Sequence, residues 1–235
     1  MSTGTFNETN IASINKTFLS RVFGWMSFGL VITAIISFVI ADVTALHSMI
    51  VTENGLTLIG YLAIFSPFIF VLLMSFGYKK LPYATLLFLF MVYSAIMGIS
   101  LSFISLVYTA ESIYIIFVTA ALMFGSMSVL GYVTKTDLSN IGSVFMMVLI
   151  GLIMAGLINL FLKSATLSYI ISMLSVIVFC GLTAFDIQKL KQLTEKTSME
   201  PSLKNKLGIL GALILYLDFI NLFMSLLNIF GKRRD

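Results

Sequence analysis

Seven stretches of about twenty mainly apolar residues run through this chain and leave almost nothing between them. They are Val22–Ala41, Leu56–Phe76, Tyr83–Val107, Ile113–Val133, Ile141–Leu162, Ser168–Ile187 and Leu207–Phe230. A helix of that length crosses the hydrocarbon core of a bilayer, and it satisfies its own backbone where water cannot. The expected fold class is therefore an all-α membrane protein, a seven-transmembrane-helix bundle. Only 10% of the residues are charged, against about 25% in a soluble domain. Residues 1–21 form a short polar N-terminal segment, 22–230 the transmembrane domain and 231–235 a short basic tail.

Several function classes fall away on composition. The net charge of +4 sits mostly in loops, which points to membrane topology and not to nucleic acid. The single Cys180 excludes an internal disulfide and any multi-cysteine metal site. The single His47 lies between two apolar stretches and reads as a loop residue. Polar sequence precedes the first apolar stretch and no clean cleavage site follows it, so that stretch is expected to remain as an anchor. Asn7-Glu8-Thr9 and Asn15-Lys16-Thr17 match a glycosylation sequon that matters only on a lumenal N-terminus.

Lysine and arginine favour the cytoplasmic face. With seven crossings, the N-terminus and the second, fourth and sixth linkers share one side, with ten basic residues. The other side holds four: Lys163, Lys232, Arg233 and Arg234. The balance favours a cytoplasmic N-terminus and an external C-terminus. The basic tail argues the other way, because a re-entrant last segment would place both termini inside.

Two charges stand apart from the loops. Asp186 lies near the end of the sixth stretch, in FCGLTAFDIQKL, and Asp218 lies inside the seventh, in LYLDFINLF. A carboxylate at the bilayer centre costs roughly 2.5–3.5 kcal/mol on insertion scales, so it normally faces the protein interior and has a partner. At about 100° per residue, Gly211, Asp218, Asn221, Ser225 and Asn228 fall on one side of the last stretch. Ser168, Ser172, Ser175 and Asp186 fall on one side of the sixth, with Thr183 nearby. Two such stripes make either a hydrogen-bonded seam or the lining of an ion path. Asp186 lies within a turn or so of the linker and Asp218 about 16 Å along its helix; if the sixth helix extends through Lys189 or Leu190, the carboxylates can approach within contact range. Two carboxylates a few ångströms apart in low dielectric cannot both stay ionised cheaply; they share a proton or take up a cation. Hard oxygen donors suit Ca²⁺, and no His or Cys cluster supports zinc. An aspartate that hydrogen-bonds to a neighbouring helix and fixes packing is the plainer alternative. Lys79 and Lys80 read as positive-inside anchors and as a candidate counter-charge for Asp186.

YSAIMGISLSFI in the third stretch, TKTDLSNIG after the fourth, LTAFDIQKL in the sixth and LYLDFINLF in the seventh give the chain a resemblance to the transmembrane Bax inhibitor motif family. The resemblance covers most of the chain. It implies a seven-helix bundle whose central last helix is enclosed by the others. It also implies a non-enzymatic, pH-sensitive Ca²⁺ leak governed by an aspartate pair, a role that falls here on Asp186 and Asp218. Ca²⁺ would be the transported or bound ion, with H⁺ as its competitor and no other cofactor. Some members carry a basic cluster at the end of helix two; here Gly77-Tyr78-Lys79-Lys80 fills that place with lysine, which lacks arginine's bidentate fork. Some bacterial members instead bind and restrain a membrane protease, and certain of these lack the aspartates. The short polar N-terminus looks bacterial, which implies the inner membrane.

Other seven-helix chemistries fit poorly. Retinal attachment needs a lysine inside a span, and the seventh stretch has none. A serine–histidine intramembrane protease needs a membrane histidine. The usual two-aspartate protease has glycine after the second aspartate, where this chain has Phe219. Proton-coupled transport uses buried carboxylates too.

Overall fold

The computed structural model describes residues 3–42, 51–52, 55–56, 69–196 and 200–234. In chain order these form α1 (Thr3–Asp42), two short strands β1 (Val51–Thr52) and β2 (Gly55–Leu56), and α2 (69–77). Then come α3 (Tyr83–Leu101), α4 (Ile104–Val107), α5 (Ala110–Val133), α6 (Ser139–Leu162), α7 (Ala165–Lys196) and α8 (Pro201–Phe230). Among the described residues six spans are long and apolar enough to cross a bilayer: Lys16–Ala41, Tyr83–Val107, Ala110–Val133, Ser139–Leu162, Ala165–Thr194 and Ser202–Phe230. Helix α2 is the described helical part of the second apolar stretch, Leu56–Phe76. The protein is an all-α membrane protein with the helix order expected of a seven-helix bundle. His47 and residues 57–68 lie outside the described residues.

Where helices depart from the apolar stretches, they run on into polar sequence. The segment QKLKQLTEKTSMEPSLKNK reads as a linker, yet α7 continues through Lys196 and α8 begins at Pro201. Gln, Lys and Leu are good helix formers, and Pro suits the first helical turn because its missing N–H would be unpaired there anyway. The linker shrinks accordingly to the residues around 197–200, and Asp186 sits ten residues inside its helix end, about 15 Å from it. The second stretch departs the other way. Leu56 pairs with Val51 in an antiparallel β1–β2 ladder, so no helix starts there.

Helical contacts divide the described chain into two compact units. The first comprises α1 to α4 and the start of α8, up to Tyr216. Its centre is α1 against α3, brought close because Gly98 meets the backbone oxygen of Thr33 and the Ile36 side chain. The Thr33 hydroxyl points at the carbonyls of Gly29 and Ser94, at 2.9 and 2.8 Å, and lies 2.6 Å from the Tyr216 hydroxyl. One hydroxyl carries one proton, so Thr33 donates to the carbonyls and accepts from Tyr216. The rings of Phe90 and Tyr93 pack edge-on against Tyr216.

The second unit comprises α5, α6, α7 and α8 from Leu217 onward. Helix α7 packs against both α5 and α6. A Cβ on Gly131 would strike the carbonyl of Ala184, and Cβ atoms on Gly142 and Gly181 would strike the rings of Phe185 and Phe145. Small residues at helix crossings are expected in a membrane, where van der Waals contact replaces the hydrophobic effect. Gly151 and Gly156 look equivalent in sequence, but a Cβ on either meets nothing within 4 Å among the described residues.

The apolar side chains divide between lipid and core. Phe161, Phe76 and Phe38 are largely exposed and suited to acyl chains, whereas Phe90, Phe219 and Phe223 are buried. Helix α8 is the most enclosed of the six spans, with 67% of its most apolar window buried against 11–44% elsewhere.

The C-terminal tail pairs with residues 107–109. Arg233 bridges Tyr108, the Thr109 N–H donates to the Lys232 carbonyl and the Arg234 N–H to the Val107 carbonyl. The tail therefore lies beside the linker between the third and fourth apolar stretches. Helix α8 is uninterrupted over 30 residues, about 45 Å. It is long and apolar enough to cross a bilayer.

Candidate functional site

Both aspartates belong to the second unit. Asp186 is half-buried on α7, and Asp218 is 5% exposed on α8. Their side chains lie close enough to interact. Ionised carboxylates only accept, so a hydrogen bond between the two requires a proton. The added turns of α7 give the sixth helix the length that the pair needs.

The surroundings are dry. Leu182 and Ile187 flank Asp186 on α7, and Leu215 and Leu222 flank Asp218; all four are essentially buried. The Phe219 ring packs edge-on against Phe117 and Phe124 of α5, at 5.3 and 5.7 Å between centroids. Asp218 Oδ2 has no hydrogen-bond partner among the described residues. A buried acceptor left open in this way is costly and suits a proton or a hard cation.

The rest of the expected stripe turns inward on its own helices. Thr183 donates to the Phe179 carbonyl, Asn221 to that of Leu217 and Ser225 to that of Asn221. Ser175 is buried on α7. The bond between the stripes lies farther along: Asn228 donates to the hydroxyls of Ser172 and Ser168, at 2.7 and 3.1 Å. With the Asp186–Asp218 contact this gives α7 and α8 two tie points in antiparallel register.

Lys79 and Lys80 are exposed in the turn after α2, and Lys79 lies 6.0 Å from the centre of its neighbour Tyr78's ring. The cation acting on Asp186 is Lys189, three residues on along α7, its ammonium 5.5 Å from the Phe185 ring centre. The i, i+3 spacing in FDIQKL carried that signal, although it was Lys79 and Lys80 that stood out in sequence.

Gln188 also escapes a reading based on charge. It is buried, its Oε1 accepts from the Leu138 N–H at 2.8 Å, and its Nε2 donates to the Thr136 carbonyl at 2.8 Å. The amide thus clamps the TKTDL linker between α5 and α6 to the helix that carries Asp186. Gln188→Leu is expected to cost about 1–3 kcal/mol, since it leaves buried backbone groups unpaired. Thermal melting in detergent checks this, and an unchanged midpoint would remove the clamp.

The donor set can be tested against a metal. Ca²⁺ takes six to eight oxygen ligands, and two carboxylates offer at most four. Among the described residues no cluster of three or more His, Cys, Asp or Glu exists. The pair suits a shared proton or a partly hydrated ion in passage better than a resident metal.

Fold and site together define a multi-pass helical membrane protein with a buried carboxyl pair between two adjacent helices. The family model for the inhibitor of apoptosis-promoting Bax1 matches residues 15–235. The chain belongs to that family, the Bax inhibitor-1 family. It is 46% identical to the inner membrane protein YbhL of Escherichia coli K12 over 220 residues, 93% of each chain. It is 38% identical over 222 residues to an uncharacterized protein of Borreliella burgdorferi, covering 94% of each. An uncharacterized membrane protein of Streptococcus pyogenes serotype M1 is 35% identical over 215 residues, 92% of each. A multi-pass inner membrane protein is what the six spans and these relatives support.

Proposed function

We propose that the protein is a passive, pH-sensitive Ca²⁺ leak in which protons and Ca²⁺ compete for Asp186 and Asp218. The observation that carries this reading is the close approach of two aspartates on adjacent helices in apolar surroundings. With a proton between them the carboxyls hold α7 and α8 together. Without it, two negative charges repel at close range in a medium that screens poorly, and the pair becomes an oxygen-rich, anionic site for a hard cation. Ca²⁺ occupancy at the pair therefore falls as pH falls. Lys189 beside Asp186 tempers that repulsion. No chemistry on a substrate is required, so the role is non-enzymatic.

The test is Ca²⁺ flux into proteoliposomes across a pH series, with Asp186→Asn and Asp218→Asn. Each variant is expected to carry Ca²⁺ with a flattened pH profile. Wild-type pH dependence in both would sink the proposal. The alternative, a non-enzymatic regulator of a membrane protease or another membrane complex, makes no demand on the pair. A partner that co-purifies equally with both Asn variants would favour it.

A further inference from the structure

A cavity of about 880 Å³ opens in the first unit, lined by neither aspartate. It lies where α1, α3 and α8 begin their apolar spans, at Lys16, Tyr83 and Ser202. Two cations line it, Arg21 and Lys204, and no acidic residue does so among the described residues. Lys204 reaches over the Phe18 ring, 5.9 Å from its centre. Helix α3 begins at Pro82 without a side-chain cap among the described residues, so its first N–H groups add partial positive charge nearby. Deeper along α1 the lining turns apolar: Trp25 and Phe28 stack edge-on at 6.1 Å, and Phe28 is 46% exposed. Between the two levels stands Gly24, where a Cβ would meet nothing within 4 Å.

We propose that this cavity seats one anionic phospholipid. Its phosphate lies on Arg21 and Lys204, and an acyl chain runs over Trp25 and Phe28 past the notch at Gly24. Phosphate recognition alone would serve a free anion equally well; the apolar half, continuous with the cations on one helix, is what commits the site to a lipid. Cations at the level where spans begin keep their charge at the headgroups while their stems cover apolar surface.

Trp25 is the only tryptophan, so its fluorescence reports on the cavity directly. The full-length protein goes into phosphatidylcholine nanodiscs containing a minor fraction of brominated-acyl lipid, either phosphatidylglycerol or phosphatidylcholine. Brominated phosphatidylglycerol is expected to quench Trp25 more strongly. Each cation near the headgroups contributes roughly fivefold to that preference, so Arg21→Ala with Lys204→Ala brings the two lipids to parity. Arg21→Lys keeps the preference, which separates loss of charge from loss of fold. Gly24→Leu, which fills the notch at constant charge, lowers quenching by the anionic lipid. Equal quenching by both lipids in the wild type overturns the proposal. So does a preference that survives the double alanine variant, or one that ignores Gly24→Leu and so reflects diffuse surface attraction. In a third arm inorganic phosphate is added to the protein in lipid-free detergent; a saturable change in Trp25 emission there would make the ligand a free anion and overturn the lipid.

Discussion

Proteoliposomes carrying Asp186→Asn and Asp218→Asn together are expected to lose no more pH response than either single variant loses. Asparagine has nearly the shape of a protonated aspartate and carries a permanent N–H donor. Substituting either partner leaves a carboxylate bonded to an amide, with the geometry kept and the shared titration gone. The second substitution then has little left to remove. Two aspartates acting separately would each retain part of the response, and their losses would add. Residues in direct contact show interaction energies of roughly 0.5–3 kcal/mol in such cycles, enough to separate the two cases. The cycle is read from Ca²⁺ flux at matched protein density across the pH series, and additive losses would dismiss a shared proton even if each single variant were impaired.

Gly131→Ala is expected to destabilise the protein by about 1–3 kcal/mol, the usual range for forcing extra atoms into a packed site. The added methyl would fall on the Ala184 carbonyl, which is backbone and cannot rotate aside. Relief requires α5 and α7 to separate, two residues from Asp186. A loss of that size lowers the melting midpoint of a chain this long by several degrees, at roughly 2–4 °C per kcal/mol. Gly151→Ala is the control. Its new methyl meets open space and alanine is the better helix former, so its midpoint should hold or rise. Equal melting of the two variants would contradict the close crossing of α5 and α7.

The architecture was legible because a bilayer admits few solutions. Apolar runs of the right length report helices almost one for one, and α1, α2, α4, α5, α6 and α8 each end within one residue of where hydrophobicity predicts a span to end. What hydrophobicity does not report is how far a helix continues into water-facing sequence. That is why the segment after Ile187 reads as a linker when nine further residues are helical. The site was legible to the extent that charge in an apolar helix is conspicuous: Asp186 and Asp218 stand out, and their side chains lie close enough to interact. Thr183, Asn221 and Ser225 stand out equally, but short polar side chains in helices readily bond back to the preceding turn, and these do so. Gln188, Tyr216 and Thr33 were overlooked because uncharged polar residues carry no comparable signal. Their partners lie far away in sequence, at Leu138 for Gln188 and at Thr33 for Tyr216. The glycines show the same limit. Gly131 and Gly151 are alike in sequence, and only the neighbouring helix distinguishes them.

The pairing of Lys232, Arg233 and Arg234 with Val107, Tyr108 and Thr109 bears on how the protein can be handled. A reporter or affinity tag fused after Asp235 follows closely on a hydrogen-bonded segment, Lys232 to Arg234. A short linker transmits any pull from the tag to the start of α5, through Thr109, whose side chain caps that helix. Fusions intended to map the membrane side of the C-terminus therefore need a spacer long enough to leave that end in place.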